Sequence, residues 1–270
     1  MVIFKKIVDF YIYSSIHVAF SVFALVRMTQ HMFNILGDNV VAYFAFFGTI
    51  VGYNFVKYAS LEIGFKMPIR NRFKAIILLS FCSFLAVGFY FFLLQRITQI
   101  ISVVVLILTL LYALPFFPNK RNARNWAGVK IYIVSLCWVG VTLFLPILNA
   151  EIAITSDFHL KCIQRFLLIF VLILIFEIID LSNDDPLLQT VPQKIGVKRT
   201  KIMGLLLLIP FYFLEFLKTN FEQKQLIVNL VLVIIISLFL LFANEKRSKY
   251  YTSFWVESVP ILWWLMIVLF

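Results

Sequence analysis

The chain has 270 residues, of which 63% are hydrophobic and 14% charged, with a mean hydropathy of +0.98. A soluble domain of that composition would expose large apolar patches and aggregate, so the composition points to a polytopic membrane protein. The net charge of +11 raises nucleic-acid binding as a rival, which the placement of the basic residues decides.

Apolar runs of about 20 residues, the length that crosses a hydrocarbon core, predict nine spanning helices in chain order. Their cores lie at 7–28, 39–59, 74–94, 97–117, 127–148, 162–182, 202–217, 225–243 and 252–270. The first follows Lys5 and Lys6 with no small-x-small cleavage site after it, so it reads as a retained anchor. Pro210 and Glu215 interrupt the seventh, which is also the shortest. None of the runs alternates with a period of two, so helices and not barrel strands must pair the backbone within lipid. The expected fold class is all-α, one transmembrane domain over residues 1–270.

An N-terminus on the cytoplasmic side puts eighteen of the 24 basic residues on that side and leaves Arg27, Arg96, Lys161, Arg165, Lys218 and Lys224 outside. That asymmetry sets the orientation and accounts for the basic balance without any nucleic-acid partner. An integral protein of a bacterial inner membrane, with membrane lipids around it, is the expected setting. The long polar loops 60–73 and 183–201 follow the second and sixth helices on the cytoplasmic side, where any chemistry is expected. Cys82, Cys137 and Cys162 lie in or beside apolar runs with no paired spacing, and read as small core residues.

The sixth span ends in "EIIDLSNDDPLLQTVPQKIG", residues 177–196, directly after eleven residues without a polar side chain. On a helix continuing through 184, Glu177, Asp180 and Asp184 fall at i, i+3 and i+7 and share a face. Stacked carboxylates repel unless a cation compensates them, and acids at membrane depth usually mark an ion or substrate path. The plainer reading makes Asp184 and Asp185 solvated interfacial caps.

These residues resemble the second aspartate-rich motif of the UbiA superfamily of intramembrane prenyltransferases. Asp180 and Asp184 match its D-x-x-x-D pair, Glu177 stands where a first Asp is usual, and Thr190, Pro192 and Gly196 match the elements downstream. Ile179 replaces the usual Arg, and the linker before Thr190 is one residue short. Residues 112–138, with Tyr112, Pro115, a basic loop and Lys130, resemble the connection between that family's fourth and fifth helices. Its first motif, N-D-x-x-D-x-x-x-D at the end of the second helix, corresponds to "NFVKYASLE", residues 54–62. Asn54 is retained, Phe55 and Tyr58 replace two aspartates, and Glu62 keeps the last acid.

The resemblance implies a nine-helix bundle and transfer of a prenyl group from an isoprenyl diphosphate to a hydrophobic acceptor. Ionising an allylic diphosphate leaves several negative charges on the departing group, which magnesium bridged to carboxylates would neutralise. It implies Mg2+ on Asp180 and Asp184, completed by Glu177, with Asn54 and Glu62 as a weakened second half. Lys120, Arg121, Lys130 and Lys194 become candidates for the remaining diphosphate charge, and each reads equally as an orientation determinant. The thinned first motif keeps a second reading open, in which an inactive relative binds or carries an isoprenoid lipid.

Other polar residues carry weaker signals. Asp9 and His17 suit interhelical hydrogen bonds. His31 and His159 are expected in outer loops with no ligand cluster, and Glu215 near the outer interface. Trp263 and Trp264 suit packing or interfacial anchoring.

Overall fold

A computed structural model describes residues 2–59, 71–113, 128–184, 188–219 and 222–269. Every element among them is helical. Their order is α1 (Val2–Tyr13), α2 (Ile16–Met32), α3 (Val40–Ala59), α4 (Asn71–Leu93), α5 (Arg96–Ala113), α6 (Val129–Val139) and α7 (Leu145–Asn149). There follow α8 (Ser156–Asp180), α9 (Val191–Ile195), α10 (Val197–Phe213), α11 (Gln223–Phe242) and α12 (Val259–Leu269). A π-helical turn at Gly140–Phe144 joins α6 to α7, and another at Tyr251–Val256 leads toward α12.

Among the described residues, seven helices or joined helices are long and apolar enough to cross a membrane, and Lys5–Tyr13 with Ile16–Met32 makes an eighth if the pair is one span. Arg96–Leu111 is a shorter apolar helix. The described parts of the apolar runs fall on helix, but they amount to seven spans, or eight with the bent pair, and not to the nine expected. The first is broken, however, because its two legs meet at 60°.

The break sits at Ser15, whose φ of 63° is left-handed, a conformation costly for any residue with a β-carbon. Elsewhere the ends follow ordinary chemistry. Asp38 Oδ1 accepts from the N–H groups of Val40 and Val41 and caps α3. Thr155 accepts from Phe158 N–H at the start of α8, and Asp157 lies in its first turn, where the helix dipole favours an acid.

The connections sort into two ends. One gathers Asp38, Gln95 and Asn149, where Asn149 Oδ1 accepts from Gln95 N–H and its Nδ2 donates to Asp38. The same end holds Thr219 N–H on Asp157. The other carries Ser14–Ser15, the end of α3, Asp180–Asp184, α9 and the chain before Tyr251, tied by Lys201 Nζ on Leu241 O and Tyr250 Oη on Asp9. The largest apolar core is built from α2, α8, α10, α11 and α12 around Leu25, Leu168, Leu172, Phe211, Leu232 and Trp263.

Several local expectations are corrected. Cys82 is exposed on α4 and is no core residue, while Cys137 and Cys162 are half-buried. His31 and His159 are helical, not in loops, and pack edge-on against Trp264 and Phe158. Lys161 and Arg165 belong to the body of α8 and are buried, as is Glu215.

Candidate functional site

The C-terminal end of α8 is where the sequence placed the chemistry. Glu177 is 2% exposed, and its Oε2 accepts from the Val191 N–H at 3.0 Å. That bond fixes the start of α9 beside α8. Thr190 N–H in turn donates to Gln193 Oε1 at 2.8 Å, and Gly196, at φ 80°, lets α10 begin directly after α9.

Regular helix ends at Asp180, but Asp184 N–H reaches back to Asp180 O at 2.9 Å. The two aspartates therefore remain one helical turn apart, as the motif spacing requires. Asp184 Oδ2 is buried without a hydrogen-bond partner. Lys130 at the start of α6 and Asp184 both lie within electrostatic reach of Glu177. Lys194 is exposed in α9. Thus Glu177, Asp184 and Lys130 are brought together, whereas Glu62, Lys120, Arg121 and Asp185 lie outside the described residues.

The first-motif face has a different occupation. Asn54 is buried, its Oδ1 accepts from Ser15 Oγ at 2.8 Å, and its Nδ2 donates to Ser14 O at 3.1 Å and Ser80 Oγ at 2.9 Å. Lys57 Nζ and Tyr58 Oη both donate to Tyr13 O, at 3.2 and 2.9 Å. The carbonyls freed where α1 breaks from α2 thus find their donors on α3. Where the resembled family places magnesium ligands, these side chains close a helix break.

The residues can be weighed against a magnesium ion on these contacts. Among the described residues no group of three or more acids, histidines or cysteines could hold a metal. Two carboxylates one turn apart, one with an orphaned oxygen, fit an ion completed by water and phosphate. Asn54 is a poorer candidate for a second ion, because it brings no charge and both its oxygen and its amide nitrogen are engaged at the helix break.

Sequence reading missed Glu257 near the head of α12. Its only signal was its standing alone as an acid in the apolar C-terminal run 252–270. It also missed the cluster in which Glu215 meets Lys161, Gln164 and Asn229, 14 to 54 positions away in the chain, and its near neighbour Lys218. Asp9 and His17 do bond between helices, to Tyr250 and to the Phe254 carbonyl, from the two legs that meet at 60°.

No family model matches the sequence, and no curated protein matches it. A solved structure concerned with digeranylgeranylglyceryl phosphate synthase in membranes shares the fold, with a TM-score of 0.59 and 14% identity over 98% of each chain. A likeness at that identity establishes the architecture from end to end, and the chemistry has to be argued from the residues.

Proposed function

We propose that this chain is a UbiA-like membrane prenyltransferase, crossing the membrane nine times with its N-terminus in the cytoplasm. It would transfer an isoprenyl group from an isoprenyl diphosphate to a hydrophobic acceptor. The observation that carries this reading is the Asp180–Asp184 pair at the end of α8, in a bundle whose whole length shares the fold of the synthase structure. That protein's name describes the synthesis of digeranylgeranylglyceryl phosphate, and prenyl transfer is extended to this chain on those two residues.

Asp180 and Asp184 would hold one Mg2+, which when bound supplies the positive charge that a departing diphosphate needs. Glu177 is a positioning residue, because its carboxylate holds the Val191 N–H and so fixes the segment that carries Lys194. Lys130 and Lys194, with Lys120 and Arg121 in the basic loop, are the proposed partners of the diphosphate oxygens. The apolar bundle keeps water from the allylic carbon once the leaving group has gone.

A second reading has a specific observation behind it. Asn54, one of the two residues expected in the weakened second half of the metal site, is committed to the helix break, as is Tyr58 in the place of an aspartate. An isoprenoid-binding protein without transferase activity would follow from that loss.

Purified protein supplied with geranyl, farnesyl and geranylgeranyl diphosphates and a membrane lipid extract separates the two. Magnesium-dependent diphosphate release that falls to background in Asp180→Asn supports the transferase. Tight donor binding with no release from any donor supports the binding protein instead.

A further inference from the structure

Prenyl transfer needs an acceptor as well as a leaving group, and a second polar group gathers at the same end of the bundle as Asp180. His17 Nδ1 lies 2.9 Å from Tyr11 Oη, and its Nε2 lies 2.9 Å from Phe254 O and 3.1 Å from Ser258 Oγ. The imidazole also stacks on the Phe254 ring with centroids 5.0 Å apart. Ser21 Oγ donates to the Glu257 carbonyl. These contacts join α1 and α2 to the chain that leads into α12.

That chain is wound as a π-helix over Tyr251–Val256, with Glu257 N–H on Thr252 O at 3.0 Å. A π turn inserts one residue into a helix and re-aims whatever follows, which is why such turns recur at functional sites. Here it sets Glu257 toward α1 and α3, where Lys57 supplies its countercharge and the Tyr11 phenol lies within electrostatic reach. The π turn also contacts α8, and its Tyr251 and Val256 share one apolar core with Ile175, Ile178 and Ile179 of that helix. The turn that leads to Glu257 therefore touches both α2 and α8.

Among the described residues the other two glutamates in the interior, Glu215 and Glu177, each have a structural task. Glu215 accepts from Lys161, Gln164, Asn229 and Lys218, and Glu177 holds a backbone N–H. Among the described residues no hydrogen bond or close ion pair holds the Glu257 side chain, which keeps part of its surface accessible inside the bundle. A carboxylate at membrane depth is costly, and one without a structural partner points to use on a substrate.

We propose that Glu257 receives the proton of a hydroxyl-bearing acceptor, with Lys57 as its countercharge and the Tyr11–His17 pair beside the acceptor's oxygen. This rests on the prenyl-transfer reading above. The acceptor oxygen bonds to the allylic carbon as the bond from that carbon to the diphosphate oxygen breaks. The diphosphate leaves with that electron pair, and the acceptor's proton passes to the Glu257 carboxylate.

The test measures how the prenyl group divides between lipid hydroxyls and water. Full-length protein in detergent is given Mg2+, geranylgeranyl diphosphate and a membrane lipid extract, and prenylated lipid and free isoprenol are quantified. Glu257→Gln should lower the ratio of prenylated lipid to isoprenol at least tenfold, and Glu257→Asp should recover part of it. Thermal unfolding shows whether Glu257→Gln is folded, and Lys57→Gln, expected to lower the same ratio, stands in if it is not. An unchanged ratio in Glu257→Gln overturns this inference and leaves the transferase reading intact. Isoprenol as the sole product of the wild type overturns this inference too, and counts against the transferase reading as well, since the donor would then ionise without passing its prenyl group to a lipid. No diphosphate release from any donor by the wild type overturns both.

Discussion

Lys161 Nζ and Glu215 Oε2 meet 3.0 Å apart with 3% and 0% of their side chains exposed, at the end of the bundle opposite the aspartate pair. Gln164 and Asn229 donate to the same oxygen at 3.0 and 2.9 Å, and Lys218 donates to the other. Removing one member of a buried pair strands its partner's charge, at a cost of about 3–5 kcal/mol. Glu215→Gln leaves two ammonium groups without an anion and should be the most destabilising of these changes. Lys161→Met leaves Lys218 to compensate the carboxylate and should cost less. Thermal unfolding in detergent ranks them, and equal midpoints for both variants and the wild type would show that the pair contributes nothing to stability.

Arg165, four residues along α8 from Lys161, is also fully buried but differently placed. Its Nη1 donates to Thr142 Oγ1 at 2.8 Å and its guanidinium lies 5.5 Å from the Trp263 ring, while Nε and Nη2 have no partner. A buried charge without an anion is a liability that an apolar residue of similar size removes. Arg165→Met is therefore expected to leave the unfolding midpoint unchanged or raised. A fall as large as that of Glu215→Gln would show the guanidinium to be a net stabiliser.

At the other end, Asn54 bridges Ser14, Ser15 and Ser80. Asn54→Ala orphans a backbone carbonyl and two hydroxyls and should destabilise by about 1–3 kcal/mol. Asn54→Asp still accepts from Ser15 but can no longer donate to Ser14 O. It should be destabilised as well, and gain no magnesium dependence in diphosphate release. A gain in that release would mean that the face is a metal site held back by its side chain.

The orientation proposed for the bundle is open to chemical labelling. Leu36, 92% exposed between α2 and α3, and Ser248, exposed between α11 and α12, lie at opposite ends. In a background lacking Cys82, Cys137 and Cys162, an impermeant maleimide on intact cells should modify Leu36→Cys and spare Ser248→Cys. The reverse pattern would invert the topology.

Spans and motif spacing were legible in the sequence because both are local. A run of apolar residues announces a helix wherever its neighbours are, and the i, i+4 spacing of Asp180 and Asp184 survives the end of regular helix through one backbone bond. What escaped notice depends on residues distant in the chain. Glu215 reads as an interfacial acid until α8 supplies Lys161 and Gln164 and α11 supplies Asn229. Glu257 is unremarkable until a π turn aims it at Lys57, and π turns have no reliable sequence signature. The break at Ser15 was equally hidden, since no Gly or Pro marks it and its hydrogen-bond partners are 39 and 40 residues or more away.

Those distant partners impose an order of assembly on the nascent chain. Helix α1 leaves carbonyls at Tyr13 and Ser14 that α2 cannot satisfy, and their donors, Asn54, Lys57 and Tyr58, are made some 40 residues later. Ser80, which completes the amide's contacts, follows later still. Until α3 and α4 have left the ribosome and docked, the bend must keep its carbonyls hydrated or straighten into continuous helix, since lipid offers no donor. The first span therefore acquires its final shape only after the third helical hairpin leg has arrived, and a chain truncated before α3 would hold a differently shaped first helix from the finished protein.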